Sequence, residues 1–415
     1  MCHRGRIGVG DVGDRVLSTL ILRFADVGVA TYASLRVVGD PSRTVTWVIQ
    51  GPQIRDGLDE LSGALPEPMP GESVADAVAR ALTAGPFAGQ ATELALAQRL
   101  GTVLISERGW QLLVDCVAAP RAALFISPSA RLGRVPWGLL AMPATSDADA
   151  HRLVELVDVL MAVPPNIVNA PRPRTAWAER RHALPLLILD PRVPGQRADS
   201  ALGSVLGRPS PDTRLAKHFA DDVAQQRVLP VVSAATELFR RTDADRDWLA
   251  TMLAENPRRL LYVGHASAAE DHSGRADRAA LHLAEEGPLT AAAIMSRRMP
   301  MPPRVALIAC ASGGDYRFDE ATGLVAAMVL CGAQLVTATL WSLPTTAGYR
   351  QFTGDTADPM GDLVVAVDDA HDDDEGGCAV NRWQRDRLRR WSSGDSTASP
   401  LYWAALATFA VDGAR

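Results

Sequence analysis

The chain has 415 residues, of which 47% are hydrophobic and 22% are charged, and its formal net charge is −6. This length predicts two or three domains, and the mildly acidic balance argues against nucleic acid as a partner. No run of 18 apolar residues is present, so we expect no membrane-spanning helix and no membrane partner.

The five cysteines do not have the spacing of a disulfide framework or a zinc site. The apolar segment at 16–22 is too short for a good signal-peptide core, and no small-residue cleavage motif follows it. We therefore expect a protein of the reducing cytoplasm that needs neither a metal nor a cofactor.

Residues 1–65 are predicted to form a β-rich N-terminal region, of which residues 1–15 read as a tail. Two β-rich runs, VATYASLRVV and TVTWVIQ, flank the turn residues GDPSR. This pattern predicts a hairpin with residues 39–42 at its turn.

A helical connecting segment is predicted over 66–120. It starts with the Pro/Gly-rich stretch PEPMPGES (66–73), which we interpret as a boundary. Helical patterns follow at 73–82 and 90–99.

From residue 121 to 412 the pattern predicts an α/β domain whose mainly parallel sheet is flanked by helices. Its signature is a series of apolar, β-rich runs at 121–128, 184–191, 258–265, 304–311 and 333–341. The closing run LYWAALATFAV (401–411) fits either a helix or a strand. The acidic run VDDAHDDDE (367–375) lacks the spacing of a calcium loop, and we interpret it as a solvated surface loop.

Two chemically reactive side chains lie at the ends of the third and fourth of these runs. His265 ends LLYVGH and Cys310 ends RVALIAC, 45 positions later. Ligands of open α/β sheets bind beyond the carboxyl ends of the strands, so both residues are well placed for chemistry. A thiol beside an imidazole is a nucleophile with its base, and the imidazole can also protonate a leaving amine.

The tetrahedral intermediate of such a reaction carries an oxyanion that needs two donors. The backbone N–H groups of Ala266 and Cys310 are the natural candidates. Taken alone, however, a cysteine in an apolar run is usually a small buried hydrophobe, and a histidine at a strand end is usually a satisfied polar residue. From these residues alone, nucleophilic and structural roles are equally well supported.

Motifs in a fixed order around this pair resemble the CHAT domain, a family of caspase- and separase-like cysteine peptidases. The resemblance covers about residues 100–412. It is carried by VPW (135–137), SAAT (233–236), LHL (281–283), GPLT (287–290), ACASGG (309–314), EATGL (320–324), CGA (331–333), LW (340–341) and SPLYWAA (399–405).

The resemblance implies a caspase-like fold and peptide-bond cleavage with His265 as base and Cys310 as nucleophile. Two positions depart from the family pattern. Ala266 stands where the family usually has glycine, and Ser342 begins a segment that lacks the family's acidic residue after LW.

Two further acidic residues are candidates for substrate binding. Asp315 could line the pocket for the residue before the scissile bond, and Glu320 could orient a substrate amine. Simpler alternatives are an exposed loop carboxylate at Asp315 and, at Glu320, a favourable place in the first turn of a helix capped by Asp319.

The sequence thus predicts a cysteine endopeptidase that acts on a polypeptide and is regulated by a signal or an activating protein partner. The alternative is a catalytically weak domain that serves as a scaffold or interaction module. Neither interpretation calls for a nucleic-acid or membrane partner.

Overall fold

A computed structural model describes residues 18–117, 121–143, 150–195, 203–267, 276–310, 312–314 and 323–415. Its strands are β1 Thr19–Asp26, β2 Ala30–Val37, β3 Asp40–Gln50, β4 Ala123–Ser127, β5 Asp158–Ala162, β6 Leu186–Leu189, β7 Arg259–Gly264, β8 Ala266–Ser267, β9 Ala280–Leu281, β10 Leu289–Thr290, β11 Arg304–Ala309, β12 Leu335–Thr339 and β13 Leu406–Ala410.

The helices surround the sheet. They are α1 Gly51–Ala64, α2 Val74–Thr83, α3 Gln90–Leu104, α4 Glu107–Val114, α5 Leu153–Leu156, α6 Pro165–Val168, α7 Trp177–Arg180, α8 Arg214–Ala224, α9 Arg246–Ala254, α10 Ala291–Arg297, α11 Leu324–Leu330, α12 Thr346–Thr353, α13 Pro359–Ala370, α14 Gly376–Ser392 and α15 Pro400–Trp403. Within the described ranges, none of them is long and apolar enough to cross a membrane.

Ten strands form one sheet in the order β3-β2-β1-β4-β5-β13-β12-β11-β7-β6. Strands β6, β7, β11 and β12 run parallel, and β13 pairs antiparallel with β12. Every residue of β7, β11 and β12 is buried, as expected of strands covered on both faces. The predicted α/β fold with a mainly parallel sheet flanked by helices is confirmed, and so are the strands predicted from residue 121 onward.

The N-terminal strands belong to this same sheet, because β1 lies parallel beside β4. The predicted hairpin is confirmed as β2 and β3, but its turn lies at Val38 and Gly39, and Asp40 already starts β3. Gly39 has φ +86°, a conformation that favours glycine. The predicted β-rich region also contains α1, which its pattern did not indicate. The domain boundaries at 65 and 120 stay a prediction.

The structure corrects the prediction for the acidic run and resolves the open alternative for the closing run. The acidic run is not a solvated loop, because its first residues end α13 and Asp368 is buried against Arg259. A carboxylate can be buried there because the guanidinium neutralises it. The closing run forms both alternatives in turn, the short helix α15 and then β13.

Candidate active site

His265 and Cys310 follow two adjacent parallel strands. In the register of β7 and β11, Gly264 lies opposite Ala309, so His265 and Cys310 are the first residues beyond a matched pair. Neighbouring strands are about 4.8 Å apart, which brings the two backbones together at the carboxyl edge of the sheet. A residue at this edge is exposed to whatever binds outside it.

A backbone carbonyl oxygen holds the imidazole of His265 in place. Its Nε2 lies 2.5 Å from the carbonyl oxygen of Gly203, and the residue is buried. Since a carbonyl only accepts, this contact places the proton on Nε2 and leaves Nδ1 as the free lone pair. The ring therefore has the tautomer that a general base needs.

Asp190, at the end of β6, anchors the loop that carries Gly203. Its buried carboxylate accepts a 2.6 Å hydrogen bond from the hydroxyl of Ser204 and a 3.4 Å one from the N–H of Leu206. Arg240 donates to its other oxygen at 3.3 Å. The Gly203 carbonyl is thus fixed through its neighbours in the chain.

A fully buried tyrosine supports the backbone around the histidine. The Tyr262 hydroxyl lies 2.7 Å from the carbonyl oxygen of His265 and 2.8 Å from that of His282. Burial raises the pKa of Tyr262 far above its usual range, so its hydroxyl stays a donor. A Cβ at Gly264 would come within 2.8 Å of this hydroxyl, which explains why a glycine precedes the histidine.

The Cys310 side chain is half-buried and opens on a cleft. Burial raises the pKa of its thiol above the usual range. Hydrogen bonds from the Ser342 hydroxyl and from the backbone N–H groups of Cys310 and Ala266 act in the opposite direction and lower it. The two N–H groups considered as oxyanion donors thus oppose the effect of burial on the pKa of this thiol.

The segment after Cys310 is fastened to β12. The Ser312 hydroxyl donates to the Leu307 carbonyl at 2.7 Å and accepts from the N–H of Thr339 at 3.1 Å. The N–H of Gly313 donates to the Thr339 carbonyl at 2.9 Å. These bonds fix residues 312–314 against β12, just beyond Cys310. Asp315 and Glu320 lie outside the described residues.

The cleft beside Cys310 has a volume of about 530 Å³. One wall consists of the strand ends with His265 and Cys310, and a second consists of residues 342–360. The third wall comes from residues 66–78, which carry Glu67, Val74 and Val78. The sequence pattern predicted a boundary at 66–73 and a helix at 73–82 but did not connect either of them with the site. The apolar residues at positions i and i+4 of α2 were the available signal.

One other cluster of ligand-type side chains occurs in the described part of the chain. The ligand atoms of His218, Asp368 and Asp369 lie within 4.8 Å of one another. Arg259 forms an ion pair with Asp368, however, and His218 Nε2 lies 2.9 Å from the same carboxylate. This arrangement fits a buried ion-pair network, in which the guanidinium supplies the charge that a metal would bring.

The site thus consists of a histidine and a cysteine at the carboxyl ends of two neighbouring strands in an α/β sheet. The CHAT domain family profile matches residues 94–412. The chain belongs to the CHAT domain family.

Among solved structures, two of the Saccharomyces cerevisiae separase–securin complex are similar at 12% identity, with TM-scores of 0.39 and 0.38. Each alignment covers 88% of this chain but only 22% and 23% of the matched chain. This chain thus spans less than a quarter of the length of the separase-complex chains that it matches. No curated protein sequence matches it significantly.

Proposed function

We propose that this chain is a cysteine endopeptidase in which Cys310 is the nucleophile and His265 the general base and acid. The observation that carries the proposal is the pairing of β7 with β11, which delivers both side chains to one cleft. The opening of the half-buried Cys310 on that cleft argues against the alternative of an inactive scaffold, in which a sealed thiol is expected.

In the proposed reaction, Nδ1 of His265 takes the thiol proton while the sulfur attacks the carbonyl carbon of the scissile peptide bond. The resulting oxyanion accepts hydrogen bonds from the N–H groups of Cys310 and Ala266. His265 then protonates the leaving amine, the C–N bond breaks, and a thioester remains on Cys310. Water attacks the thioester with His265 again as base, which releases the acid product and the thiol.

The alanine at position 266 is compatible with this role. Ala266 lies in the short strand β8 and pairs with Leu281, so its backbone is extended. An extended backbone accommodates a Cβ, and the N–H is retained. The departure from the family's glycine therefore does not remove the donor on which the proposal depends.

The proposal includes a polypeptide substrate and an activating protein partner in a reducing, cytoplasmic setting. The raised pKa of Cys310 means that the thiol is mainly protonated at neutral pH, so its reactivity depends on His265. A partner that changed the burial of the thiol would change that reactivity. The described cysteines Cys116, Cys310, Cys331 and Cys378 are all free thiols, which suits a reducing compartment.

A proteome-wide comparison of new N-termini tests the proposal. Cells expressing the wild type should accumulate cleaved N-termini that are absent with Cys310→Ala and with His265→Ala. Cys331→Ala is the matched control, because Cys331 is a buried thiol away from the cleft and should leave cleavage unchanged. Equal cleavage by the wild type and by folded Cys310→Ala would overturn the assignment.

A further inference from the structure

The walls of the cleft beside Cys310 are mainly apolar. Among the residues that line it are Val74 and Val78 of α2, Leu343, Phe352 of α12 and Met360 of α13. A volume of about 530 Å³ lies within the range of clefts that enclose a bound group. Such walls stabilise an apolar side chain by removing it from water.

Charged side chains are scarce in this cleft. Of the described residues that line it, the ionisable ones are Glu67, His265 and Cys310. The Glu67 carboxylate is already in an ion pair with Arg134. A charged substrate side chain would therefore be desolvated without a free partner among these residues, which is costly.

The wall formed by residues 66–78 lies outside the family match, which begins at residue 94. It is fixed to the rest of the chain by Arg80, which donates to the carbonyl oxygens of Gly63 at 2.5 Å and Glu67 at 3.0 Å. Selectivity that depends on this wall is therefore a property of the N-terminal segment and not of the matched domain.

We propose that this cleft binds an apolar side chain of leucine or methionine size, and that α2 sets this selectivity through Val74 and Val78. This inference rests on the proposed function. Because the sulfur attacks the carbonyl of the residue before the scissile bond, the side chain of that residue is the one nearest to Cys310. The substrate class is a polypeptide with an aliphatic residue at that position.

Peptidyl acyloxymethyl ketones that differ only in their last side chain test the inference, with labelling of Cys310 measured by mass spectrometry. Leucine and methionine probes should react about a hundredfold faster than arginine and aspartate probes. Iodoacetamide, which has no such side chain, reports the intrinsic reactivity of the thiol. A wild-type preference for the arginine probe would overturn the inference and implicate Glu67, Asp315 or Glu320.

Charge substitutions at Val74 test the role of α2. Val74 is 59% exposed and is the first residue of the helix, so folding should survive its replacement. Val74→Asp should raise the relative rate of the arginine probe about tenfold, and Val74→Arg should do the same for the aspartate probe. Val114→Asp, on an exposed position of α4, is the matched control and should change neither.

The outcomes separate the two proposals. Unchanged selectivity in both Val74 variants, with normal labelling by the leucine probe, would overturn the role of α2 while leaving the peptidase intact. Failure of every ketone to label Cys310, while iodoacetamide still labels it, would overturn the proposed function and this inference with it.

Discussion

At the scale of single residues, the candidate site depends on a chain of contacts that ends on His265. The Gly203 carbonyl fixes the ring, and Asp190 fixes the loop of Gly203 through Ser204 and Leu206. Asp190 does not touch the cleft, so we regard it as a positioning residue. Its contribution should appear in turnover and not in substrate binding.

Asp190→Asn should lower kcat for cleavage about tenfold while KM stays nearly constant, because misorientation of the imidazole affects the reaction more than binding. Steady-state kinetics on a substrate found by N-terminal mapping would measure this. Arg240→Gln is the matched control, since it removes the ion pair at 3.3 Å but keeps the bonds to Ser204 and Leu206. A rise in KM with unchanged kcat, or an equal decrease of kcat in both variants, would contradict the assignment.

The sequence was informative about residues that directly follow apolar runs. His265 and Cys310 could be found because each is a reactive side chain at the end of a buried strand. Asp190 ends such a run in the same way, in LPLLILD, and the same signal could have identified it. Gly203 could not be predicted, because a backbone carbonyl acts there and no side chain marks it.

At the scale of elements, the wall formed by residues 66–78 is held by Arg80 and by the ion pair between Glu67 and Arg134. Arg80 of α2 forms an ion pair with Glu72 at 2.8 Å and also binds the carbonyl oxygens of the preceding loop. Hydrogen bonds from Arg80 lower the pKa of Glu72 to about 2, so the pair stays charged at any pH near neutrality. The wall is therefore held from within the N-terminal segment by Arg80 and from the matched domain by Arg134.

Arg80→Met should loosen this wall, because methionine keeps an apolar stem but donates no hydrogen bond. We expect the preference for leucine over arginine ketone probes to fall about tenfold, as the apolar side chain loses one of its contact surfaces. The rate of Cys310 with iodoacetamide should stay unchanged. Arg55→Met, at an exposed arginine of α1, is the control. If Arg80→Met kept the full preference for the leucine probe, the role of Arg80 in holding the wall would be contradicted.

Elements could be predicted from the sequence where a run of residues is continuously buried. The prediction failed where a residue distant in the sequence determines whether a segment is buried. The strands between β4 and β12 that appear as long apolar runs could be predicted from the sequence, but β5 was not predicted. The acidic run was misassigned because Asp368 is neutralised by Arg259, which lies 109 positions away in the sequence. Local composition cannot indicate such a pairing.

At the scale of the whole molecule, the sheet joins segments that the sequence separates. Strand β1 pairs with β4, and β13 closes the sheet between β5 and β12. Some buried polar groups hold helices against this sheet. One of them is His371, which lies after α13 and whose Nε2 contacts the Thr337 hydroxyl of β12 at 2.8 Å.

Burial lowers the pKa of His371 to about 3, and the nearby Arg304 and Arg259 add to the effect. A histidine that stays neutral in the folded state contributes its full stability above its unfolded pKa of about 6.5 and loses it as the pH falls toward 3. Between pH 7 and 5 this loss is about 2 kcal/mol of unfolding free energy.

Urea unfolding at pH 7 and pH 5 measures this effect. His371→Gln should show a decrease between the two pH values that is about 2 kcal/mol smaller than that of the wild type. His182→Gln, at an exposed histidine, should behave like the wild type. An unchanged pH dependence in His371→Gln would mean that His371 is not the group responsible.

The most direct test of the central claim is NMR of a tetrahedral adduct on Cys310. Peptide aldehydes ending in leucinal, argininal and aspartal, each ¹³C-enriched at the aldehyde carbon, would be mixed separately with the protein. The account predicts a hemithioacetal carbon signal in the wild type with at least one aldehyde, a weaker one in His265→Ala, and none in Cys310→Ala. A hemithioacetal signal that persists in folded Cys310→Ala, or none in the wild type with any aldehyde, would contradict it.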